Sequence, residues 1–368
     1  NFKSGIFTNL SQDHLDYHKN LKNYLKAKLY LFQKLMKKKG NIITDQEIPQ
    51  FKRIKKISYE NKFNLYSLTD KKNKFQLLSH EFKGESQILN IKYKNSIKRI
   101  QLNLIGKLQV KNILMAIISA SISNVNLNKI FNVISKIKPV EGRLQRIGNI
   151  RNRSKVILDY AHTPQALKTS ILNLKEQFPG QKILLVFGCG GNRDYDKRAK
   201  MGKIADNLSD KIFLTDDNPR SENPNKIRKE IKNGIKKQKI FEIPSRSEAI
   251  SEAINQLKTG EILLVAGKGH ENTQELRDKK IFFSDRKKIL SSIKIKNLTL
   301  SNNLKINLIN DLSLHKKIKS NINLKKARIN SKEVKKNDIF FAIKGKKRDG
   351  NHFINQAFKK KASLAIVN

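Results

Sequence analysis

Short apolar runs alternate with longer stretches of helical period in the second half of the chain, from Lys155 onward. Each run ends in a polar or glycine-rich turn, and this alternation predicts an α/β domain with a mostly parallel sheet. Ligands of such sheets gather outside the carboxyl ends of the strands, where the most polar turns of this sequence lie. The predicted strands are 156–158, 183–187, 212–214, 240–243 and 262–266.

The pattern divides the chain into three predicted domains, 1–138, 139–290 and 291–368. The first has helical patterns at 24–35 and 112–122 and alternating, strand-like stretches between 52 and 104. Pro139 and Gly142 indicate a hinge. After about Leu290 the chain is rich in Lys, Asn and Ile, and a new globular pattern begins near Ile329.

Composition limits the classes of protein that remain. No apolar run approaches the roughly 18 residues that a membrane span needs. A single cysteine, Cys189, excludes an internal disulfide, and no signal peptide is present, so we expect a cytoplasmic protein. The chain opens at Asn1 without Met, and we expect a further N-terminal portion. The net charge of +46 leaves a nucleic-acid-binding module as an alternative, but the basic residues are spread along the whole chain.

One segment near the N-terminus is dense in metal-ligand side chains. Residues 13–18 contain two His and two Asp, a set that suits a divalent cation close to phosphates. The alternative is a solvated helix start with a capping Asp. Together with Tyr24, Ala27 and Lys28, the segment resembles the central-domain motif of the Mur ligase family. That resemblance implies that His14 binds Mg²⁺ and that Lys28 is carbamylated, which converts a repelling ammonium into a carboxylate mimic.

Two further motifs resemble parts of the same family that contact ATP. They are the Gly-Arg of the hinge, at Arg143, and the Asp-Tyr-Ala-His-Thr-Pro of residues 159–164. The resemblance implies that Arg143 approaches the phosphates, that Asp159 and His162 lie beside the nucleotide, and that Asn112 lies on the adenine side. The alternative is that residues 159–164 only cap a helix.

Three turns at predicted strand ends form another constellation. Residues 188–194 and 267–271 are glycine-rich, yet the first lacks dinucleotide-binding spacing and the second lacks the Ser or Thr of a phosphate loop. The third turn is Asp-Asn-Pro-Arg at 217–220. By themselves the glycine turns are ordinary α/β connections. All three together resemble the branch of the Mur ligases that adds meso-diaminopimelate.

The physical logic of that branch is recognition of a second amino-acid centre at the far end of the substrate. Arg193 and Arg220 offer guanidinium forks to carboxylates. Lysine as substrate would leave an arginine unpaired, at a cost of about 2 kcal/mol. The residues that the resemblance assigns to meso-diaminopimelate are Arg193, Asp217, Asn218, Pro219, Arg220, Gly267 and Glu271, with Asp217, Asn218, Glu271 and the Gly267 carbonyl as ammonium acceptors.

The C-terminal segment has a motif of its own. Residues 330–345 and 348–354, which include Arg348, resemble the start of a small α/β N-terminal domain of a second Mur ligase. The family usually has Asp-Ser-Arg where this chain has Asn330, Ser331 and Lys332. An unrelated basic appendage is the alternative.

The resemblance implies a central-domain fragment, a Rossmann-like C-terminal domain and an ATP- and Mg²⁺-dependent ligase of peptidoglycan synthesis. Its substrates would be UDP-N-acetylmuramoyl-L-alanyl-D-glutamate and meso-diaminopimelate, with neither a membrane nor a specific nucleic acid as partner. The family's Gly-x-x-Gly-Lys-Thr loop is not among these 368 residues, so we expect them alone to turn over negligibly. An L-lysine-adding ligase and a basic nucleic-acid-binding protein remain as alternatives.

Overall fold

A computed structural model describes residues 2–236, 240–277, 279–312, 323–345 and 349–367. These residues form two compact units. The first comprises Asn1–Asn149 and Arg153–Leu290, and the second comprises Ile150–Asn152 and Ser291–Asn368. The domain limits at 138 and 290 stay predictions.

The first part of the larger unit combines a parallel sheet in the order β1-β2-β3, an antiparallel sheet in the order β4-β5-β6, and five helices. The helix predicted at 112–122 is present. The stretch predicted as a helix at 24–35 is α-helical as far as Tyr30 and continues as a π turn at Leu31–Leu35. The strands are β1 (Phe2–Phe7), β2 (Met36–Thr44), β3 (Asn64–Ser67), β4 (Phe75–Lys83), β5 (Ser86–Tyr93) and β6 (Ser96–Leu102). The helices are α1 (Leu15–His18), α2 (Leu21–Tyr30), α3 (Phe51–Glu60), α4 (Lys107–Ile122) and α5 (Leu127–Ile134).

The predicted strand pattern between 52 and 104 is wrong at its beginning, where α3 lies. Ile54 and Ile57 are three residues apart and are 0% and 4% exposed, so they form one buried helical face. The charged residues between them face solvent on the opposite side. Phe51, Ile54 and Ile57 are spaced by three residues, so the sequence of this stretch has the same helical period as its burial.

A six-stranded sheet in the order β11-β10-β9-β12-β8-β7 organises the second part of the larger unit. All five predicted strands are present and pair in parallel with one another. The sixth strand of the sheet, the short β7, pairs antiparallel with β8. The strands are β7 (Gln145–Arg146), β8 (Lys155–Asp159), β9 (Ile183–Phe187), β10 (Lys211–Leu214), β11 (Ile240–Glu242) and β12 (Ile262–Ala266), followed by the hairpin β13 (Thr273–Leu276) and β14 (Lys279–Phe282).

Helices cover this sheet, and every residue of β9 and β12 is buried. Burial on both faces explains why these strands are continuous apolar runs in the sequence. Thr163, Asn223 and Ser245 cap three of the helices by accepting a hydrogen bond from the first turn. The helices that pack on the sheet are α6 (Pro164–Gln177), α7 (Lys197–Leu208), α8 (Pro224–Lys232) and α9 (Arg246–Gln256). Helix α10 (Asp285–Leu312) follows β14 along the chain.

The smaller unit contains a parallel sheet in the order β15-β16-β17. The side chains of Phe340 and Ala357 are buried in its core. A 3₁₀ turn at Ser331–Glu333 follows β15, so the pattern predicted from about Ile329 is a folded α/β element. Arg348 of the tail motif lies outside the described residues. The elements are β15 (Ala327–Arg328), β16 (Ile339–Ala342), α11 (Ile354–Lys359) and β17 (Leu364–Val367).

Candidate functional site

A cavity of about 200 Å³ opens at the carboxyl ends of β8, β9, β10 and β12. Residues of the turn after β1 complete its wall. The sheet order makes these strand ends neighbours, as the sequence predicted for the three polar turns. The site residues predicted from the sequence that line this cavity are His14, His162, Arg193, Asp217, Asn218, Arg220, Gly267 and Glu271.

The turns after β9 and β10 interlock backbone to backbone. The Gly191 N–H donates to the Asn218 carbonyl at 2.9 Å. A Cβ atom on Gly191 would overlap the Pro219 carbonyl, so only glycine fits there. Pro219 therefore contributes its backbone to the packing of the two turns and does not line the cavity.

We expect Gly191→Ala to destabilise the protein by about 1–3 kcal/mol, because the two turns must separate to admit the methyl group. Gly190→Ala is the matched control, since its Cβ would lie 3.0 Å from Arg220 Nη1 and 3.6 Å from the Asn218 carbonyl oxygen, so a shift of a few tenths of an ångström admits it. Denaturant unfolding of both variants measures the difference. Equal stability of the two variants would contradict the close packing of the turns.

Asp217 occupies the floor of the cavity, close to the turn after β12. Gly267 has a φ of +117°, and a Cβ on it would stand 2.6 Å from Asp217 Oδ2. Arg246 lies behind Asp217, with 3.8 Å between its Nη1 and Asp217 Oδ2. A glycine at 267 thus gives the Asp217 carboxylate room, and the buried Arg246 guanidinium lies on its other side.

Arg220 is held in a fixed orientation. Its Nε lies 2.8 Å from Glu275 Oε2, and its Nη1 donates to the Gly191 carbonyl at 2.8 Å. Its backbone N–H and C=O also pair with Glu275 and Arg277. Arg193 lines the same cavity, so two guanidinium groups and the Asp217 and Glu271 carboxylates share one pocket.

Asn218 differs from its expected role as an ammonium acceptor. Its Oδ1 already accepts from Lys268 Nζ at 2.8 Å and from the Glu275 N–H at 3.1 Å. Its Nδ2 donates to Glu271 Oε2 at 3.2 Å. The amide therefore supports Glu271 instead of offering a free oxygen.

Sequence reasoning missed three residues of this region, Tyr160, Lys197 and Lys268. Tyr160 and Lys197 line the cavity, and Lys197 Nζ donates to the His162 carbonyl at 3.1 Å. Lys268 lies behind it. For Lys268 the sequence did carry a signal, a lysine between two glycines directly after a buried strand. That pattern was compared only with a phosphate loop, which it does not match.

The turn after β1 brings a second group of polar side chains to the cavity. Asp13 Oδ2 lies 3.7 Å from His162 Nε2 and 3.4 Å from His14 Nε2. Burial works to raise the pKa of the Asp13 carboxyl, but the hydrogen bond to His162 and the charges of both imidazoles lower it overall. Asp13 is therefore ionised at neutral pH.

Lys28 lies outside the cavity wall but near this group. Its Nζ stands 5.0 Å from the Tyr24 ring centroid and donates to the Asn9 carbonyl at 3.3 Å. The His14 ring packs edge-on against the same tyrosine. Burial lowers the pKa of the Lys28 ammonium, although Asp13 opposes the shift. A lowered pKa increases the fraction of uncharged amine, which is the form that reacts with carbon dioxide.

The side chains of this group offer part of a cation site. Among the described residues, no group of three or more His, Cys, Asp or Glu side chains could hold a metal ion. His14 and the neighbouring Asp13 supply an imidazole nitrogen and carboxylate oxygens. A carbamate on Lys28 would add the missing oxygen donor, so the residues fit Mg²⁺ in that modified form.

Three residues predicted to contact the nucleotide do not line the cavity. Arg143 stacks on Tyr160, with 4.5 Å from its guanidinium carbon to the ring centroid. Asp159 is buried and accepts from the Leu144 N–H at 3.1 Å and from the Ser170 hydroxyl. Burial raises the pKa of the Asp159 carboxyl against these hydrogen bonds.

Asn112 is the third of these residues, and it is exposed on α4. The nucleotide roles of Arg143, Asp159, His162 and Asn112 stay predictions.

Across the part of the chain that the structure describes, no helix has the length and apolar character needed to cross a bilayer.

Comparison with known proteins places this geometry in a family context. Over 281 residues the chain is 42% identical to the UDP-N-acetylmuramoyl-L-alanyl-D-glutamate--2,6-diaminopimelate ligase of Rickettsia bellii (strain RML369-C), covering 76% of this chain and 58% of that protein. It is 37% identical over 301 residues to the enzyme of the same name from Buchnera aphidicola subsp. Schizaphis graminum (strain Sg), covering 80% and 60%. The chain thus spans less than two thirds of the length of these relatives.

Solved structures agree with the sequence matches. A structure of UDP-N-acetylmuramoyl-L-alanyl-D-glutamate--2,6-diaminopimelate ligase superposes with a TM-score of 0.54 at 31% identity, covering 80% of this chain and 60% of that one. The Thermotoga maritima MurF ligase in complex with ADP shares the fold, with a TM-score of 0.58 at 16% identity over 80% and 62%.

Family profiles match both parts of the larger unit. The profile described as Mur ligase middle domain matches residues 1–120, and the one described as Mur ligase, glutamate ligase domain matches residues 142–269. These two regions contribute the turn after β1 and the four strand ends that together enclose the cavity. The chain therefore belongs to the Mur ligase family, of which it carries the middle domain and the glutamate ligase domain.

Proposed function

We propose that this chain binds meso-diaminopimelate and serves the ATP-dependent ligation of that amino acid to UDP-N-acetylmuramoyl-L-alanyl-D-glutamate. One observation carries the proposal: the Arg193 and Arg220 guanidinium groups line a single cavity at the strand ends together with the Asp217 and Glu271 carboxylates. A zwitterionic amino-acid centre presents one carboxylate and one ammonium, and this set of charges complements both. The names of the relatives support the same pair of substrates.

Each charged side chain has a proposed part in holding the substrate. Arg193 and Arg220 bind the carboxylate of the distal centre through their planar forks. Asp217 and Glu271 accept hydrogen bonds from its ammonium, and the Gly267 carbonyl adds a further acceptor. Fixing the distal centre leaves the other amino group free to meet the activated carboxyl group, so catalysis is mainly positioning.

The proposed reaction has two steps. The γ-phosphoryl group of ATP passes to the γ-carboxylate of D-glutamate, which releases ADP and leaves an acyl phosphate. An uncharged amine of diaminopimelate then attacks the acyl carbon, the phosphate leaves with the electron pair of the acyl carbon–oxygen bond, and the nitrogen loses a proton. Arg143, Asp159, His162 and Asn112 are proposed to contact the nucleotide.

Mg²⁺ is proposed as the cofactor, held by His14 and by the carbamate form of Lys28. When bound, it would neutralise charge on the phosphate oxygens during transfer. The lowered pKa of Lys28 supports carbamylation, since only the uncharged amine adds to carbon dioxide.

The remaining assignments concern the setting of the protein. We propose a cytoplasmic location, in keeping with nucleotide-linked substrates. We also propose that residues 291–368 begin the N-terminal domain of a second Mur ligase, supported by the parallel β15-β16-β17 sheet and the turn at Ser331–Glu333.

Ligand competition tests the substrate assignment directly. Isothermal titration of the 368-residue chain with meso-diaminopimelate and with L-lysine is expected to give an affinity for meso-diaminopimelate at least about 30-fold higher, equivalent to about 2 kcal/mol. The reason is that lysine has no distal carboxylate for the arginine forks. Equal affinities, or tighter binding of lysine, would favour the lysine-adding ligase.

A further inference from the structure

A buried ammonium group lies directly behind the cavity. Lys268 follows β12, and its side chain is 0% exposed. Its Nζ donates to Asn218 Oδ1 at 2.8 Å and to Glu271 Oε2 at 2.9 Å. A charge so far from water requires partners of this kind. Lys268 does not itself line the cavity, whereas both of its partners do.

The contacts of Lys268 dictate which way the Asn218 amide faces. Lys268 Nζ and the Glu275 N–H can only donate, and both lie within hydrogen-bond distance of one end of the amide. That end must be the oxygen. The amide nitrogen consequently faces Glu271, to which it donates at 3.2 Å.

Glu271 receives donors from the protein and keeps room for one more. Lys268 and Asn218 both donate to its Oε2. A carboxylate has about four acceptor positions, so these two donors leave capacity for a ligand N–H. The Glu271 side chain is 32% exposed and lines the cavity, where a ligand can reach it.

We propose that Lys268 is a positioning residue for the amino-acid substrate. From behind the cavity it fixes Asn218 and holds Glu271 in one orientation, so that Glu271 accepts a hydrogen bond from the substrate ammonium. The proposal rests on the proposed function in taking meso-diaminopimelate as the ligand. Lys268 donates to the Glu271 carboxylate without occupying the pocket where the substrate ammonium binds.

A double-mutant cycle tests whether Lys268 acts through Glu271. Titration calorimetry with meso-diaminopimelate compares the unmodified chain with Lys268→Met, Glu271→Gln and the double variant. Each single change is expected to lower the affinity by about 10-fold or more. The double variant is expected to bind no more than about 3-fold less tightly than whichever single variant has the lower affinity. Lys232→Met is the matched control, because Lys232 pairs with Glu242 away from the cavity and should leave binding unchanged.

The outcomes separate the two proposals. If the unmodified chain does not bind meso-diaminopimelate, the proposed substrate is wrong. If it binds and Lys268→Met binds equally well, or if the two single effects multiply fully in the double variant, the positioning role is wrong.

Denaturant unfolding of every variant identifies a loss of fold. Lys268→Gln provides a second variant that keeps a hydrogen-bond donor without the charge, and it is expected to bind with intermediate affinity. Failure of both Lys268 variants to fold would also overturn the proposal, since the lysine would then serve the fold and not the site.

Discussion

Replacing Arg246 with Met is expected to lower the free energy of unfolding by about 3–5 kcal/mol, the largest loss of stability that we predict for a single substitution. Arg246 and Asp285 are both 0% exposed and form a bidentate pair, with distances of 2.8 Å from Nε and 2.7 Å from Nη2. Methionine fills a similar volume but leaves the Asp285 carboxylate buried without its guanidinium. Denaturant unfolding measures the loss when the free energy of unfolding of both proteins is extrapolated to zero denaturant in the same way.

The position of Arg246 explains why the effect should be large. Its Nη2 also donates to the Ala266 carbonyl at the end of β12, so one side chain joins the beginning of α9, the beginning of α10 and the sheet. Burial works to lower the pKa of the Arg246 guanidinium, but the Asp285 carboxylate raises it overall. The guanidinium therefore stays charged at every pH at which the protein folds.

The residue that follows Asp285 supplies a control. Arg286 lies 3.9 Å from Glu141, and both side chains are about half exposed. Arg286→Met should cost at most about 1 kcal/mol, because exposed ion pairs contribute little. The double change Arg246→Met with Asp285→Leu should recover part of the lost stability. Equal effects of the Arg246 and Arg286 changes would contradict a special contribution from the buried pair.

The strands of the central sheet were predictable because their burial is nearly uniform. Residues 183–187 and 262–266 are apolar throughout, since both faces of each strand are covered, and the structure has strands with the same limits. That the three polar turns lie close together could also be predicted, because the carboxyl ends of parallel strands meet at the same edge of a sheet. Helix α3 was missed although Phe51, Ile54 and Ile57 recur every three residues, because this ten-residue element directly precedes the alternating strand segments and was grouped with them.

The site was predictable in its exposed members and not in its buried support. Arg220 and Glu271 were found because their turns resemble a known motif. Lys268 was overlooked because a lysine between glycines looks like a solvent-exposed turn until the fold buries it. The partnership of Arg246 with Asp285 joins residues 39 positions apart, and no local pattern indicates such a contact.

Two residues selected by the resemblance make contacts within the protein that their motifs did not indicate. Asp159 matches a nucleotide-binding motif, yet in the structure its carboxylate ties the turn at Leu144 to Ser170 of α6. Asn218 matches a substrate-binding motif, yet its oxygen is occupied by Lys268 and Glu275. In both cases the hydrogen-bond partners of the side chain lie in distant parts of the chain, and the predicted roles in ligand binding stay predictions.

Arg220→Lys is expected to weaken the binding of meso-diaminopimelate by about 10- to 100-fold, equivalent to about 1.5–3 kcal/mol, and to leave the binding of L-lysine nearly unchanged. Glu275 and the Gly191 carbonyl already engage Nε and Nη1 of Arg220, which fixes the plane of the guanidinium. The remaining N–H groups are then available to a ligand carboxylate in the cavity that Arg220 lines. A lysine ammonium has three donors on one atom, and it cannot reach Glu275, Gly191 and the ligand with the same geometry.

Titration calorimetry with both amino acids distinguishes this role from a general effect of charge. Arg53→Lys on the exposed surface of α3 is the control, and it should alter neither affinity. If the Arg220 change weakened meso-diaminopimelate and L-lysine by the same factor, Arg220 would hold a part of the ligand that both molecules share. Selectivity for the distal carboxylate would then depend on Arg193 alone, and the Arg193→Lys variant should show the selective loss instead.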